Sequence, residues 1–439
     1  MRATLRIFYP ALLVVFYVSL GALAADLSTD IVAPDGWRTT SPRDEISPMF
    51  EVQPTDNGQY ALVIAGADTE ATYGWWVRDY EVAAGKSYAF RVAFSFENIP
   101  LPRRSVLARL TRFDADGKKL RQPEYPATVE LSVEKGTGVI CGTYDMPADC
   151  VRVRVELVLR WVRGGRVEWR DVSLEEAPAV EPRVVRVATI RYRPAQRTSG
   201  PDENRKLFAA MVTKAAKQRP DIIVLGEGIT VVSTGMKYVD VAESVPGPTS
   251  KRFGELSRAH DCYIVAGIYE RDGEVVYNTS LLMGPGGEVV GKYRKTCIPR
   301  EESEGGLMPG DEYPVFDTRF GKVGMMICWD VHFPEVARRL AINGAELICL
   351  PIWGGNDKLA QARAIENQVY LATSSYNTNI RSAIFDPHGD ALATATDEDP
   401  IAVVEIDLNK QNLHGYLGDF KARIPRERPA GDGETCFKR

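Results

Sequence analysis

The sequence predicts two folded units in series, an all-β sandwich followed by a larger α/β unit. Three observations carry that reading. The chain has 439 residues, more than one ordinary hydrophobic core organises. Apolar residues alternate with period two from about residue 26 to 178. Beyond a proline-containing break, short apolar runs alternate with helical patterns.

The first 25 residues, MRATLRIFYPALLVVFYVSLGALAA, have the parts of a signal peptide: Arg2 and Arg6, a long apolar run, then the small-residue pattern Ala22-Leu23-Ala24. Export to the periplasm or the extracellular space is expected. The alternative is an uncleaved membrane anchor over residues 7–24, which approach the length of a bilayer span; Pro10 and the Ala-x-Ala pattern favour cleavage.

The β-unit is assigned to residues 26–178. Its clearest strand is CVRVRVELVLRW, residues 150–161, with Val151, Val153, Val155, Leu157, Leu159 and Trp161 on one face and mostly charged residues on the other. GQYALVIAG, KSYAFRVAFSF and SVLARLTRF repeat the pattern between turns such as Ala84-Gly85-Lys86 and Asp116-Gly117-Lys118. Helical periodicity is absent, which favours a sandwich. Cys141 and Cys150 flank a short loop and are candidates for a disulfide in an exported protein with seven cysteines.

EEAPAVEPR, residues 175–183, combines two prolines with charge and reads as a linker, with the domain boundary at 178 and the connector at 179–183. The second unit, 184–439, opens with the strand VVRVATI. A helix follows over 204–218, where Leu207, Phe208, Met211, Val212 and Ala215 form one stripe, and then the strand DIIVLGE. A helix in SKRFGELSRAH precedes the strands CYIVAGIYE, VVYNTSLLM and GEVVGKYRK. KVGMMIC, the helix PEVARRLAING and the strand AELICLP complete the alternation, with Asn343-Gly344 as a helix stop.

Composition narrows the function. Hydrophobic residues make up 44% and charged residues 26%, with a net charge of −5 and dispersed basic residues, so no nucleic-acid partner is expected. The four histidines are scattered and no Cys-x-x-Cys pair occurs, so neither a metal nor an organic cofactor is expected.

Three residues with complementary chemistry each close a predicted strand: Glu227 in DIIVLGE, Lys295 in GKYRK and Cys328 in GKVGMMIC. In an α/β sheet the carboxyl ends of strands border the usual binding crevice. Alone, each residue has an ordinary structural explanation, the cysteine as a small buried hydrophobe above all. Together they supply a thiol, a base to deprotonate it and a cation to hold an oxyanion.

DIIVLGE, GKYRKTCIP and GMMICWDVHFPE, in this order, resemble the three signature blocks of the nitrilase superfamily of carbon-nitrogen hydrolases, over roughly residues 184–420. PEVARRLAINGAELICLPIWGG and RAIENQVYLATSSYN also look like segments of that family. The resemblance implies a four-layer αββα sandwich that pairs into a homodimer or larger homo-oligomer. It implies Glu227 as general base, Lys295 as stabiliser of the tetrahedral intermediate and Cys328 as nucleophile. A second, assisting glutamate is implied within EESEGGLMPGDE, as Glu302 in preference to Glu304. The implied reaction is hydrolysis of a non-peptide carbon–nitrogen bond in a small amide-like substrate through a cysteine thioester. Trp329, after the nucleophile, and Trp353, in the later block, are placed at the oxyanion and substrate pocket. Two positions depart from the family pattern: Gly226 stands where proline is common, and Cys297 where histidine is common.

Two other readings keep the same residues: an acyltransferase using the same acyl-enzyme, or a non-catalytic binding protein that retains the fold. The β-unit looks like jelly-roll, carbohydrate-binding-module-like domains, a fold-level analogy. Tyr73, Trp75 and Trp76 in ATYGWWVRDYEV are its candidate glycan contacts, although consecutive strand residues face opposite sides and one of the two tryptophans is expected to be buried.

Overall fold

The computed structural model describes residues 33–427 apart from 56, 57, 415 and 417. The signal or anchor segment expected at 1–25 lies outside the described residues.

Residues 38–177 form two antiparallel sheets around one apolar core. The four-stranded sheet runs, in spatial order, Arg38–Thr40, Tyr73–Glu81, Arg152–Arg160, Val106–Phe113. The six-stranded sheet runs Met49–Pro54, Tyr60–Ala65, Arg166–Ala177, Ser87–Glu97, Thr137–Asp145, Ala127–Thr128. Core residues come from both sheets, among them Trp76, Val153, Val155, Leu157 and Leu159 from the first and Phe90, Val92 and Trp169 from the second. Period-two alternation is what lets each strand supply one such face.

Several expectations for this unit need correction. In the 150–161 segment the strand is Arg152–Arg160, and Val151 and Trp161 fall outside it and are exposed. The face expected to be solvated is buried in its second half, Val158 fully and Glu156 and Arg160 nearly so, while Arg152 and Arg154 stay partly exposed. Part of the cover lies close by: Arg426, from the C-terminal helix Phe420–Glu427, stacks on Tyr125 at 3.6 Å and is near enough to Arg160 to feel its charge. Cys141 and Cys150 do not pair; both are free, the first on a strand of the six-stranded sheet and the second in the core with its thiol 3.9 Å from the Met146 sulfur. Within EEAPAVEPR, Glu175, Glu176 and Ala177 pair with Ala89, Tyr88 and Ser87, so the strand runs to Ala177 and stops before the connector assigned to 179–183. One four-residue helix, Pro102–Ser105, interrupts the β pattern.

The second unit has two six-stranded mixed sheets. One runs Val289–Arg294, Val275–Met283, Tyr263–Asp272, Ile222–Val224, Val184–Ile190, Ile401–Asp407; the other runs Val315–Asp317, Lys322–Met325, Leu347–Ile352, Tyr370–Ser375, Ser382–Phe385, Ala391–Ala395. Strands of both contribute to one core, with Val185, Ile222, Val224 and Val265 against Val323, Leu347, Ile348 and Leu371. The continuous apolar runs follow from burial on two sides. Ile222 and Val224 face this shared core, while Ile223 belongs to a second cluster with Phe208, Val212 and Phe253 of the helices Pro201–Ala216 and Pro248–His260. Val336, Leu340, Ala360 and Ala364 bring the helices Pro334–Ile342 and Asp357–Asn367 into the shared core. Burying a side chain such as Phe208 contributes roughly 2 kcal/mol.

Candidate active site

The three expected strand-end residues sit slightly beyond their strands. The strand of DIIVLGE ends at Val224, so Glu227 lies three residues on, in a turn. Lys295 directly follows the strand Val289–Arg294. The strand of GKVGMMIC ends at Met325, and Cys328 instead opens the short 3-10 helix Cys328–His332. Cys328 has φ of +41°, a left-handed conformation that costs a non-glycine residue about 1 kcal/mol or more. The reversal turns its side chain out of the sheet and into a cavity of about 590 Å³ that Glu227, Lys295 and Glu302 also line.

Two features hold the Cys328 turn. Asp330, fully buried, accepts from the Ile327 N–H at 2.8 Å and the Tyr293 hydroxyl at 2.8 Å with one oxygen, and from the Cys297 N–H at 2.9 Å with the other. It thereby ties the chain before the thiol to the chain after Lys295. Position 297 serves through its backbone, which explains how a cysteine can stand there. The cavity-facing thiol lies 3.9 Å from the Gly354 carbonyl oxygen.

Glu227 is held from every side. Its Oε1 accepts from Lys295 Nζ at 3.0 Å and Asn278 Nδ2 at 2.8 Å, and its Oε2 from the Trp353 N–H at 3.0 Å. The Tyr376 hydroxyl donates to the Glu227 carbonyl at 2.7 Å. Gly226 belongs to this arrangement: a Cβ there would lie 2.7 Å from the Tyr376 ring, so the close approach of the ring requires glycine. Gly267 does the same from the neighbouring strand, where a Cβ would lie 2.7 Å from the Glu227 Cα.

Of the two glutamates open to choice, Glu302 joins the cluster and Glu304 does not. Glu302 Oε1 accepts from Lys295 Nζ at 2.8 Å and from Asn278 Nδ2 at 2.9 Å, whereas Glu304 pairs with Arg300 at 3.0 Å on the surface. Asn278, in the middle of the strand Val275–Met283, bridges the two carboxylates through one amide nitrogen.

The electrostatics follow from burial. Burial and then the Glu227 charge push the Cys328 thiol well up, against the opposing pull of Lys295. The cysteine therefore rests as a thiol and needs a base at the moment of attack. For Lys295, burial works against the ammonium, but the acidic groups around it, Glu227 first, outweigh it and hold the proton firmly. Glu302 is pushed up to about 7 by burial, with Lys295 opposing and Glu227 adding to the rise. Among the described residues its Oε2 has no hydrogen-bond partner, whereas Oε1 accepts from Lys295 and Asn278, so Oε2 is the oxygen left to carry the proton.

Both expected pocket tryptophans reach the cavity. The Trp329 ring stacks on His332 at 4.3 Å and is 38% exposed, which makes it a wall open to a ligand. Trp353 meets Tyr376 edge-on at 5.1 Å. Reasoning from sequence missed Asn278 and Asp330. An asparagine inside the apolar run VVYNTSLLM and an aspartate directly after Cys328-Trp329 were the available signals, since a buried polar group in such a place needs partners.

Comparison with known proteins gives the same region. The sequence model of the carbon-nitrogen hydrolase family matches residues 186–412. The bovine (Bos taurus) omega-amidase NIT2 is 31% identical over 251 residues, 51% of this chain and 87% of that protein. A nitrilase of Pyrococcus abyssi is 34% identical over 244 residues, 51% of this chain and 90% of its own length. Among solved structures, Saccharomyces cerevisiae Nit3 aligns with a TM-score of 0.46 and 27% identity, covering 51% of this chain and 90% of Nit3.

Proposed function

The chain belongs to the carbon-nitrogen hydrolase family and is an amidase-type hydrolase of carbon–nitrogen bonds; from that premise we propose that it cleaves a small amide, ureide or similar linkage through a thioester on Cys328. The observation that carries the proposal is the convergence of a raised-pKa thiol, a carboxylate held by four hydrogen bonds to its side chain and backbone, and a buried ammonium at one cavity.

The geometry supports the following roles. Glu227 takes the thiol proton as the sulfur attacks the carbonyl carbon. Lys295, joined by the N–H of Trp329, stabilises the oxyanion that forms. The tetrahedral intermediate collapses, the carbon–nitrogen bond breaks, and the amine leaves with the proton that Glu227 had taken. Water then gives a proton to Glu227 and attacks the thioester, releasing the acid and restoring the thiol. Glu302 holds Lys295 from the side opposite Glu227 and so positions the ammonium between two carboxylates. Transfer to another nucleophile would use the same acyl-enzyme.

The wider organisation is part of the same reading. Residues 184–407 form a four-layer αββα sandwich, supported by the core that strands of both sheets share and by the helix pairs on each sheet. The preceding strands form a jelly-roll-like sandwich, in keeping with the chain alternating between the two sheets. Contact with glycans would use Tyr73, Trp75 and Trp161, the Tyr73 ring lying 5.3 Å from that of Trp75 and 6.5 Å from that of Trp161; Trp76 is buried, its indole donating to the Val63 carbonyl at 3.1 Å. Export with cleavage after Ala24 is proposed from the N-terminal pattern, and N-terminal sequencing of the mature protein should begin near Ala25 or Asp26. Self-association into a homodimer is proposed with support from the exposed Ile365 and Leu392, and light scattering tests it.

Ammonia or amine release from a panel of small amides and carbamoyl compounds tests the activity. Turnover that survives Cys328→Ala would overturn the thioester route.

A further inference from the structure

The cavity's charge inventory bears on what kind of amide enters it. Among the described residues Lys295 is the one lysine or arginine on its wall, and two carboxylates already match it. One further formal charge lines the cavity, the carboxylate of Glu301. Glu301 precedes the inward Glu302 on the short helix Arg300–Glu304 and is itself exposed, which puts it toward the solvent side of the cavity. Its neighbour Arg300 is committed to Glu304 at 3.0 Å, and no ion pair neutralises Glu301 among the described residues. Its charge is felt by Tyr238, which stacks on Tyr269 at 4.7 Å along the same wall, and Trp329 presents a second aromatic face to the cavity.

An unpaired carboxylate among electron-rich rings attracts an ammonium and repels a carboxylate. We propose that the substrate is the amide or ureide of an amine-bearing molecule, with its ammonium group held at Glu301 beside Tyr238 and Trp329. The proposal rests on the hydrolase reading and adds the chemical class of the non-reacting end. Lys295 does not offer a site for a substrate carboxylate, because Glu227 and Glu302 already accept from its ammonium. Coulomb attraction at a partly solvated mouth amounts to about a factor of ten in affinity.

The test compares three amides of similar length in the full chain: 5-aminopentanamide (cationic), hexanamide (neutral) and 5-amino-5-oxopentanoate (anionic). Ammonia release gives kcat/KM for wild type, Glu301→Gln and Glu301→Lys. Calorimetry on the same compounds with Cys328→Ala gives affinity independent of turnover. The expected order is cationic, neutral, anionic, with about tenfold per step, the cationic advantage collapsing in Glu301→Gln and reversing in Glu301→Lys. Preference for the anionic amide, a cationic advantage untouched by Glu301→Gln, or absence of binding to all three would overturn the proposal. Selective binding of the cationic amide without its turnover would instead overturn the hydrolase reading and leave the Glu301 preference standing.

Discussion

Arg112 and Glu124 in the N-terminal sheets lie 2.9 Å apart at 3% and 2% side-chain exposure, one cation for one carboxylate. Lys295 in the C-terminal sheets is as deeply buried, yet it serves Glu227 at 3.0 Å and Glu302 at 2.8 Å together, beside a thiol and a cavity. Both arrangements pay the desolvation of a buried ion, but only the first is balanced in charge. The second leaves a carboxyl raised to about 7 and a thiol raised well above its usual range. Burial of charge is therefore not the mark of a reactive site; burial with an unbalanced count next to open space is.

The comparison can be broken most forcefully at Lys295. Lys295→Met should leave two adjacent buried carboxylates, abolish turnover by about 10⁴-fold and cost roughly 3–5 kcal/mol of stability. Arg112→Met should cost a similar amount of stability by stranding Glu124 while turnover per folded molecule stays near wild type. Chemical denaturation with steady-state assays on both variants checks the pair. Equal loss of turnover in the two would erase the distinction.

A smaller effect separates the regions by pH. The native Glu302 carboxyl is raised from 4.5 to about 7, so within that window the folded chain holds a proton that the unfolded chain has released. Its contribution to stability is present below about pH 4.5 and is lost as pH rises to about 7. Urea titrations at pH 5 and 7.5 should show wild type losing stability relative to Glu302→Gln. A difference between the two chains that does not change with pH would contradict the raised value.

The smallest expected effects lie in the support of Glu227. Gly226→Ala should cost about 1–3 kcal/mol by driving a methyl into the Tyr376 ring, and Tyr376→Phe about 1 kcal/mol by removing the hydroxyl that meets the Glu227 carbonyl. Thermal melts of the two variants rank them, and a harmless Gly226→Ala would show that the ring moves aside.

These residues also show where sequence stops being legible. The α/β alternation was readable because strands such as Ile222–Val224 are apolar on both faces and helices such as Pro201–Ala216 carry one apolar stripe. Glu227, Lys295 and Cys328 were readable because complementary chemistry recurred just after such strands. What escaped depends on distant chain. Arg152–Arg160 buries Glu156, Val158 and Arg160 of its charged face under cover that includes Arg426 and Tyr125, and the acidic run Glu175–Ala177 remains a strand because Ser87–Ala89 lies beside it. Asn278 looked like one polar residue in an apolar strand, and only the fold brings two glutamates from 51 and 24 residues away to its amide. Glu302, already preferred to Glu304 in the sequence, is aimed inward by the turn of a five-residue helix that leaves Glu304 on Arg300.

Intact-mass analysis with peptide mapping, after wild type and Cys328→Ala are incubated with small amides and carbamoyl compounds and quenched in acid, probes the covalent step itself. An acyl mass should appear on the wild-type peptide that carries Cys328 and be absent from the alanine variant. An adduct on any other residue that forms and decays at the turnover rate, or turnover persisting in Cys328→Ala, would show that the nucleophile is not Cys328.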